Sequence, residues 1–259
     1  MSLYVQSFGT GPDIILLHGW GLHGGIWSAT ENNLMRHLAQ RYRVTAIDLP
    51  GHGYSDYGND GFTLTSATTA IAESIPAQAI VIGWSLGGLL ALNLALTRPD
   101  LVHRLVLISS TARFHQAPDW QAAMTTSALR GFATALKENQ RDTVLRFLAL
   151  QVHGSSNERQ QLRLLKQAIV ARPPARHAAL SSGLTILEQT DLRSRLGSIT
   201  QPAMLLYGQH DRIVPPGTGA AMEALLTRST HHILAGTGHA PFLSDPESTM
   251  HLLDEFLND

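Results

Sequence analysis

The sequence predicts an α/β fold, a mostly parallel, doubly wound sheet with a helical cap inserted between sheet strands. Two observations predict it. Short apolar runs of strand length recur along the chain with helical patterns between them. That alternation then stops between about residues 112 and 195, where helical patterns stand alone. Most of the runs are continuous rather than alternating, as in strands covered on both faces.

The runs are IILLHG (14–19), YRVTAIDL (42–49), AIVIG (79–83), RLVLISS (104–110), AMLLYG (203–208) and THHILAG (230–236). Residues 86–98 place leucines at 89, 92 and 96 and stop before Pro99, a helix with a clear end. Residues 247–257 supply a closing helix. Within the insertion, helical patterns cover 119–137, 139–152 and 157–171, followed by Pro173–Pro174, and the sheet pattern resumes at 203. The expected division is a core of residues 1–111 and 196–259 and a cap of residues 112–195. The sequence holds no internal repeat and no low-complexity tract.

Composition narrows the function. With 259 residues the chain can bury a sizeable core, and 44% of them are apolar. Charged residues are 15% and the net charge is -1, which speaks against disorder and against nucleic-acid binding. There is no cysteine, so disulfides, thiolate metal sites and cysteine nucleophiles are excluded. The start, MSLYVQSFGTG, has neither a basic segment nor a long apolar one, so no signal peptide is expected. The longest apolar region, 79–96, is interrupted by Ser85, three glycines and Asn93, so no membrane span is expected. A cytoplasmic location fits.

The chemistry starts at Gly83-Trp84-Ser85-Leu86-Gly87, a G-x-S-x-G spacing between a strand and a helix. A serine on such a strained turn needs small flanking residues, and the helix that follows offers backbone N–H groups to a developing oxyanion. The alternative is a polar residue in a flexible connection. A serine nucleophile needs a base and an acid to orient that base. Among 13 histidines, His239 stands in a glycine-punctuated loop after the last strand run, and Asp211 follows the strand 203–208. The order Ser85, Asp211, His239 is that of a hydrolase triad. Asp48 is the rival acid, read as bonding its own loop; His18 is read as shaping its loop, and His231 and His232 as structural. The segment HGWGL (18–22) follows an early strand, so the backbone N–H of Trp20 is expected to pair with that of Leu86 as an oxyanion hole.

Together these residues resemble the α/β-hydrolase superfamily over essentially the whole chain. LLHGWGL, DLPGHGYSD, IGWSLGGL, RFLALQ (146–151), GLTILEQTDLR (183–193), LYGQHDRIVP and GHAPFLSDP are similar to the pimeloyl-acyl-carrier-protein methyl ester esterases of biotin synthesis. RFLALQ and the TDLR segment lie in the insertion and are the more telling. The resemblance implies Ser85, Asp211 and His239 as the triad. It also implies substrate contacts at Trp20, Ser85, Leu86, Phe147, Leu148, Ala149, Leu150, Gln151 and His239, with no cofactor and no metal. The implied reaction removes the methyl ester from a pimeloyl chain carried by acyl carrier protein.

Charge is unevenly spread. From Arg113 to Arg195 there are 12 of the 19 basic residues and 6 of the 20 acidic ones. The insertion is therefore cationic and the remainder anionic, which concerns partners rather than fold. Arg159, Arg163 and Lys166 recur on one helical face beside Leu162, Leu165 and Ile169, while Arg141 and Arg146 belong to the preceding helix. An acidic carrier protein with a phosphate-bearing arm suits such a surface; an ordinary solvated face paired to local acids such as Glu158 is the alternative. The expectation is a monomeric serine carboxylesterase. A promiscuous esterase or C–C bond hydrolase on the same triad, and a non-catalytic ligand-binding member of the fold, are the competing readings.

Overall fold

The protein is described by a computed structural model covering residues 1–59 and 61–258. Its sheet contains β1 (Val5–Phe8), β2 (Asp13–Leu17), β3 (Arg43–Ile47), β4 (Ala79–Trp84), β5 (Val102–Ile108), β6 (Ala203–Gly208) and β7 (Ser229–Leu234) in the order β1-β3-β2-β4-β5-β6-β7. β1 runs antiparallel to β3, and the remaining neighbours are parallel. Buried apolar side chains explain the central strands: Ile14 to Leu17 are fully buried, and every residue of β4 and β6 is buried.

The helices are α1 (Leu34–Leu38), α2 (Leu64–Ser74), α3 (Leu86–Thr97), α4 (Thr126–Glu138), α5 (Gln140–Val152), α6 (Glu158–Val170), α7 (His177–Gln189), α8 (Gly217–Glu223), α9 (Pro241–Ser244) and α10 (Pro246–Asn258). From β2 the chain moves to β3 on one side, then crosses back to β4 and continues outward. Right-handed crossovers therefore place α1 on one face and α2 and α3 on the other. The packing agrees: α2 meets α3, and α10 returns to α1. The reversal of winding at β2 and β4 is the position where open α/β sheets form a crevice at the carboxyl ends of their strands.

Helices α4 to α7 lie between β5 and β6. Side chains start four of the helices cleanly: Asn33 caps α1, Thr125 caps α4, Asn139 caps α5, and Thr63 with Ser66 forms a capping box on α2. The helix expected over 119–137 begins only at Thr126. The preceding stretch is pinned instead by short bridges, His115 to Met124 and Ala117 to Trp120, and by Trp120 Nε1 donating to the Arg113 carbonyl at 3.0 Å. Strand β1 and helices α1, α2, α7, α8 and α9 go beyond the stretches named from the sequence. Among the described residues no helix is long and apolar enough to cross a membrane.

Candidate active site

Ser85 sits between β4 and α3 with φ 56° and ψ −118°, a left-handed backbone in a non-glycine residue. The turn packs closely because glycines stand at 83, 87 and 88. A Cβ on Gly87 would lie 2.2 Å from the Leu17 carbonyl oxygen, and one on Gly88 would lie 2.4 Å from Ser110 Cβ. Backbone bonds fix the serine further: its N–H donates to Ile108 O at 3.0 Å, and Ser110 Oγ donates to its carbonyl at 2.7 Å.

Asp211 follows β6 and His239 follows β7, as the chain order predicts, and the two are brought together at the carboxyl end of the sheet. His239 Nδ1 lies 2.7 Å from Asp211 Oδ2, with both side chains fully buried. Asp211 Oδ1 accepts from the N–H groups of Ile213 at 2.8 Å and Val214 at 2.9 Å. A carboxylate receiving three donors is an acceptor, so Nδ1 of His239 carries the proton and Nε2 presents a lone pair. The backbone of His239 is held as well: its N–H donates to Gln151 O at 2.7 Å, and its carbonyl accepts from Trp84 Nε1 at 2.8 Å. Tyr207 lies beneath, its phenol raised by burial and then by the Asp211 charge, and it donates to Ser110 O at 2.9 Å.

The HGWGL loop stands beside the serine. A Cβ on Gly19 would meet Ser85 Cβ at 3.4 Å. His18 holds this loop, as expected: its Nε2 accepts from Leu49 N–H at 2.9 Å, so its Nδ1 donates to Gly19 O at 2.8 Å. The Trp20 indole donates to Leu180 O of α7 at 2.8 Å and packs edge-on against Phe147 of α5 at 4.9 Å. Gly183 makes room for both Trp20 and Leu86, since a Cβ there would lie 2.7 Å from Trp20 Cδ1 and 3.3 Å from Leu86 Cδ2. Phe147, Leu148 and Gln151 are buried on α5, whereas Ala149 and Leu150 are half-buried. Ser85 Oγ, His239 Nε2 and Gln151 Oε1 are buried with no hydrogen-bond partner among the described residues. The Ser85 hydroxyl and the His239 imidazole are thus not bonded to each other, and α5 and α7 each bond one of the flanking loops, at His239 and at Trp20.

The rival acid, Asp48, is occupied elsewhere. It accepts from Gly24 N–H and Tyr54 N–H and pairs with Arg172 at 2.6 Å. His231 and His232 lie in β7, and His231 pairs with Glu223 at 2.8 Å. On the cap, Arg159, Arg163 and Lys166 are exposed and line one shallow groove with Leu162 and Val170. Arg141 and Lys166 line, with Gly21, Val144 and Leu180 among others, an apolar cavity of about 640 Å³. Arg146 is exposed elsewhere on α5. Glu158 does not serve as their local acid: its Oε2 accepts from Gly154 N–H at 3.1 Å and lies 3.7 Å from His153.

Burial disfavours the charged form of three histidines near this crevice. Burial drives His18 well below the ordinary histidine value, with neighbouring His52 adding to it; burial also lowers His23 against the opposing pull of Asp48, and His52 falls to about 4. Unfolded, all three take up protons near pH ~6.5. Their contribution to stability is therefore present above that pH and lost as pH falls toward the folded values. Denaturant titrations from pH 7 to 5 are expected to show falling stability, by up to about 1.4 kcal/mol per pH unit for each histidine kept neutral. A maximum at pH 5 would contradict this.

This fold and site define a class. The chain belongs to the α/β-hydrolase fold family, whose model, described as alpha/beta hydrolase fold, matches residues 12–246. It is 40% identical over 257 residues to the pimeloyl-[acyl-carrier protein] methyl ester esterase of Methylococcus capsulatus, covering 99% of each chain. The protein of the same name from Nitrosomonas europaea is 39% identical over 254 residues, covering 98% of each. Among solved structures, an esterase from Exiguobacterium antarcticum superposes with a TM-score of 0.88 at 23% identity, covering 99% of this chain and 96% of that one, a likeness of fold.

Proposed function

We propose that this chain is a cytoplasmic, monomeric serine carboxylesterase that removes the methyl ester from pimeloyl-acyl-carrier protein in biotin synthesis. The observation that carries the reaction is the buried Asp211–His239 pair, at the same carboxyl edge of the sheet as the strained Ser85. The substrate reading is supported by near full-length similarity to relatives of that name.

In this reading Ser85 Oγ attacks the ester carbonyl while His239 Nε2 takes its proton. Asp211 keeps the ring in the accepting tautomer and stabilises its cationic form. The N–H groups of Trp20 and Leu86 hold the oxyanion of the tetrahedral intermediate. As the C–O bond to the methoxy group breaks, His239 returns the proton and methanol leaves. Water, deprotonated by His239, then attacks the acyl-enzyme; the second tetrahedral intermediate collapses, the proton returns to Ser85 Oγ, and the free carboxylate is released. Core residues 1–111 and 196–259 supply this machinery. The cap, 112–195, covers it, with Phe147, Leu148, Ala149, Leu150 and Gln151 contacting the acyl chain. Arg141, Arg146, Arg159, Arg163 and Lys166 dock the acidic carrier.

The test compares pimeloyl-carrier methyl ester with simple soluble esters. Arg159→Glu with Arg163→Glu is expected to lower kcat/KM for the carrier-bound ester by about tenfold or more, mainly through encounter, and that of a p-nitrophenyl ester little. Equal losses on both substrates would remove the docking surface from the proposal. No turnover of the carrier-bound ester by the unmodified protein would remove the substrate.

A further inference from the structure

Asp48 connects three parts of the molecule. It immediately follows β3 and is fully buried. Its Oδ1 accepts from Gly24 N–H at 2.7 Å, in the loop that begins with His18, Gly19 and Trp20. Its Oδ2 accepts from Tyr54 N–H at 2.9 Å. The same Oδ1 takes Arg172 Nη1 at 2.6 Å, and Arg172 follows α6 in the cap.

The Arg172 side chain is only 9% exposed. Its guanidinium lies over the rings of Tyr4 at 5.1 Å and Tyr54 at 5.7 Å and also donates to Gln6 Oε1. A second tie runs alongside. His23 Nδ1 accepts from Gly25 N–H at 3.1 Å, so its Nε2 is the donor that meets Ala168 O, in the last turn of α6, at 2.7 Å. Arg176 N–H, before α7, closes on Gly51 O at 2.9 Å.

A buried ion pair is a poor means of simple adhesion, because desolvation offsets most of its attraction and apolar side chains of the same shape would hold as well. What the pair does supply is direction: each partner accepts one geometry, and an unpartnered Asp48 would be costly. We infer that Arg172 and His23 are positioning residues, forming a clasp that couples the seating of the cap to the loop carrying the Trp20 N–H. The inference rests on the esterase reading for its catalytic consequence.

The other cap contacts point the same way. Trp20 Nε1 donates to Leu180 O of α7, and His239 N–H donates to Gln151 O of α5. Thus α5, α6 and α7 each bond a core loop that borders Ser85. Ser85 is 2% exposed and His239 fully buried, so admitting a substrate moves the cap. The clasp transmits that movement to the Trp20 loop, and closure restores the loop's geometry as the ester is enclosed.

The experiment uses the full chain and its Arg172→Met and Arg172→Lys variants. Methionine keeps the stem over the tyrosines and removes the charge and the fork. Amide hydrogen exchange is followed together with hydrolysis of p-nitrophenyl butyrate. Arg172→Met is expected to speed exchange in residues 19–26 as well as 168–176 and to lower kcat about tenfold with little change in KM. Arg172→Lys should fall between it and the parent. A purely structural role would raise exchange throughout the chain and leave kcat of the folded fraction unchanged. Faster exchange confined to 168–176, or kcat within about twofold of the parent, overturns the clasp. Should Arg172→Met not fold, Arg172→Lys and His23→Phe decide by the same two readouts. If the parent and Ser85→Ala hydrolyse the ester equally, the esterase reading fails; joint exchange of the two segments then still decides whether the clasp exists.

Discussion

Ser85→Ala is expected to lower kcat for a p-nitrophenyl ester by at least about ten-thousand-fold, leaving the rate that binding and the oxyanion donors sustain alone. The substitution removes one oxygen that has no hydrogen-bond partner among the described residues, so no bond in the resting structure is lost with it. What it does touch is backbone strain. Ser85 has φ 56°, and alanine tolerates that region no better than serine, so the fold is expected to survive at similar stability. Steady-state kinetics and labelling by a fluorophosphonate check the result together. The label should disappear with the activity, while circular dichroism and the thermal midpoint stay near the parent's. Hydrolysis at a near-parental rate would show that another residue carries the acyl group.

Asp211→Asn should cost about ten-thousand-fold in kcat, for a more specific reason. Asp211 Oδ1 already accepts from Ile213 and Val214, at 2.8 and 2.9 Å. In the amide, the oxygen keeps those two donors, which turns the NH2 toward His239 Nδ1. A donor facing Nδ1 forces the imidazole proton onto Nε2, the atom that accepts from Ser85 in the proposed reaction. Geometry is preserved and the tautomer is wrong. The matching control is Asp48→Asn, the other buried acid at a strand end. Its carboxylate holds Gly24, Tyr54 and Arg172, so its loss should act on the cap and the Trp20 loop rather than on proton transfer. Comparable kcat for Asp211→Asn and the parent, with collapse in Asp48→Asn, would exchange the roles of the two acids.

Much of the candidate site is legible in the amino-acid sequence. The G-x-S-x-G spacing lies between an apolar run and a leucine-periodic helix, and the structure places Ser85 between β4 and α3. Asp211 and His239 are marked by standing after strand runs, and their side chains meet at 2.7 Å. Strand β1 carries no such mark, because it is a four-residue edge with Val5 and Phe8 exposed and no buried run. Helix α4 starts later than its pattern suggests because the preceding residues answer to Trp120 and Arg113 rather than to helical periodicity. Helix α7 follows the two prolines that interrupt the helical patterns of the cap, although Ala179, Leu180, Gly183, Leu184 and Leu187 form its buried stripe.

By itself, then, the sequence determined what is local or periodic: the strands buried on both faces, the strained serine turn, and the order of serine, acid and histidine. These follow from side-chain patterning over a few neighbouring residues and from the rule that loops at strand ends share one edge of a parallel sheet. Asp48 bonds its own loop at Tyr54 N–H, as the sequence suggested, but tertiary structure alone decided its distant partners Gly24 and Arg172. Arg172 lies 124 positions away from it, as His23 lies 145 from Ala168 and Trp20 lies 160 from Leu180. Pairings over such separations leave no period in the chain, because they depend on how the cap settles on the sheet. The choice is then made by which buried donor finds an acceptor once water has been excluded.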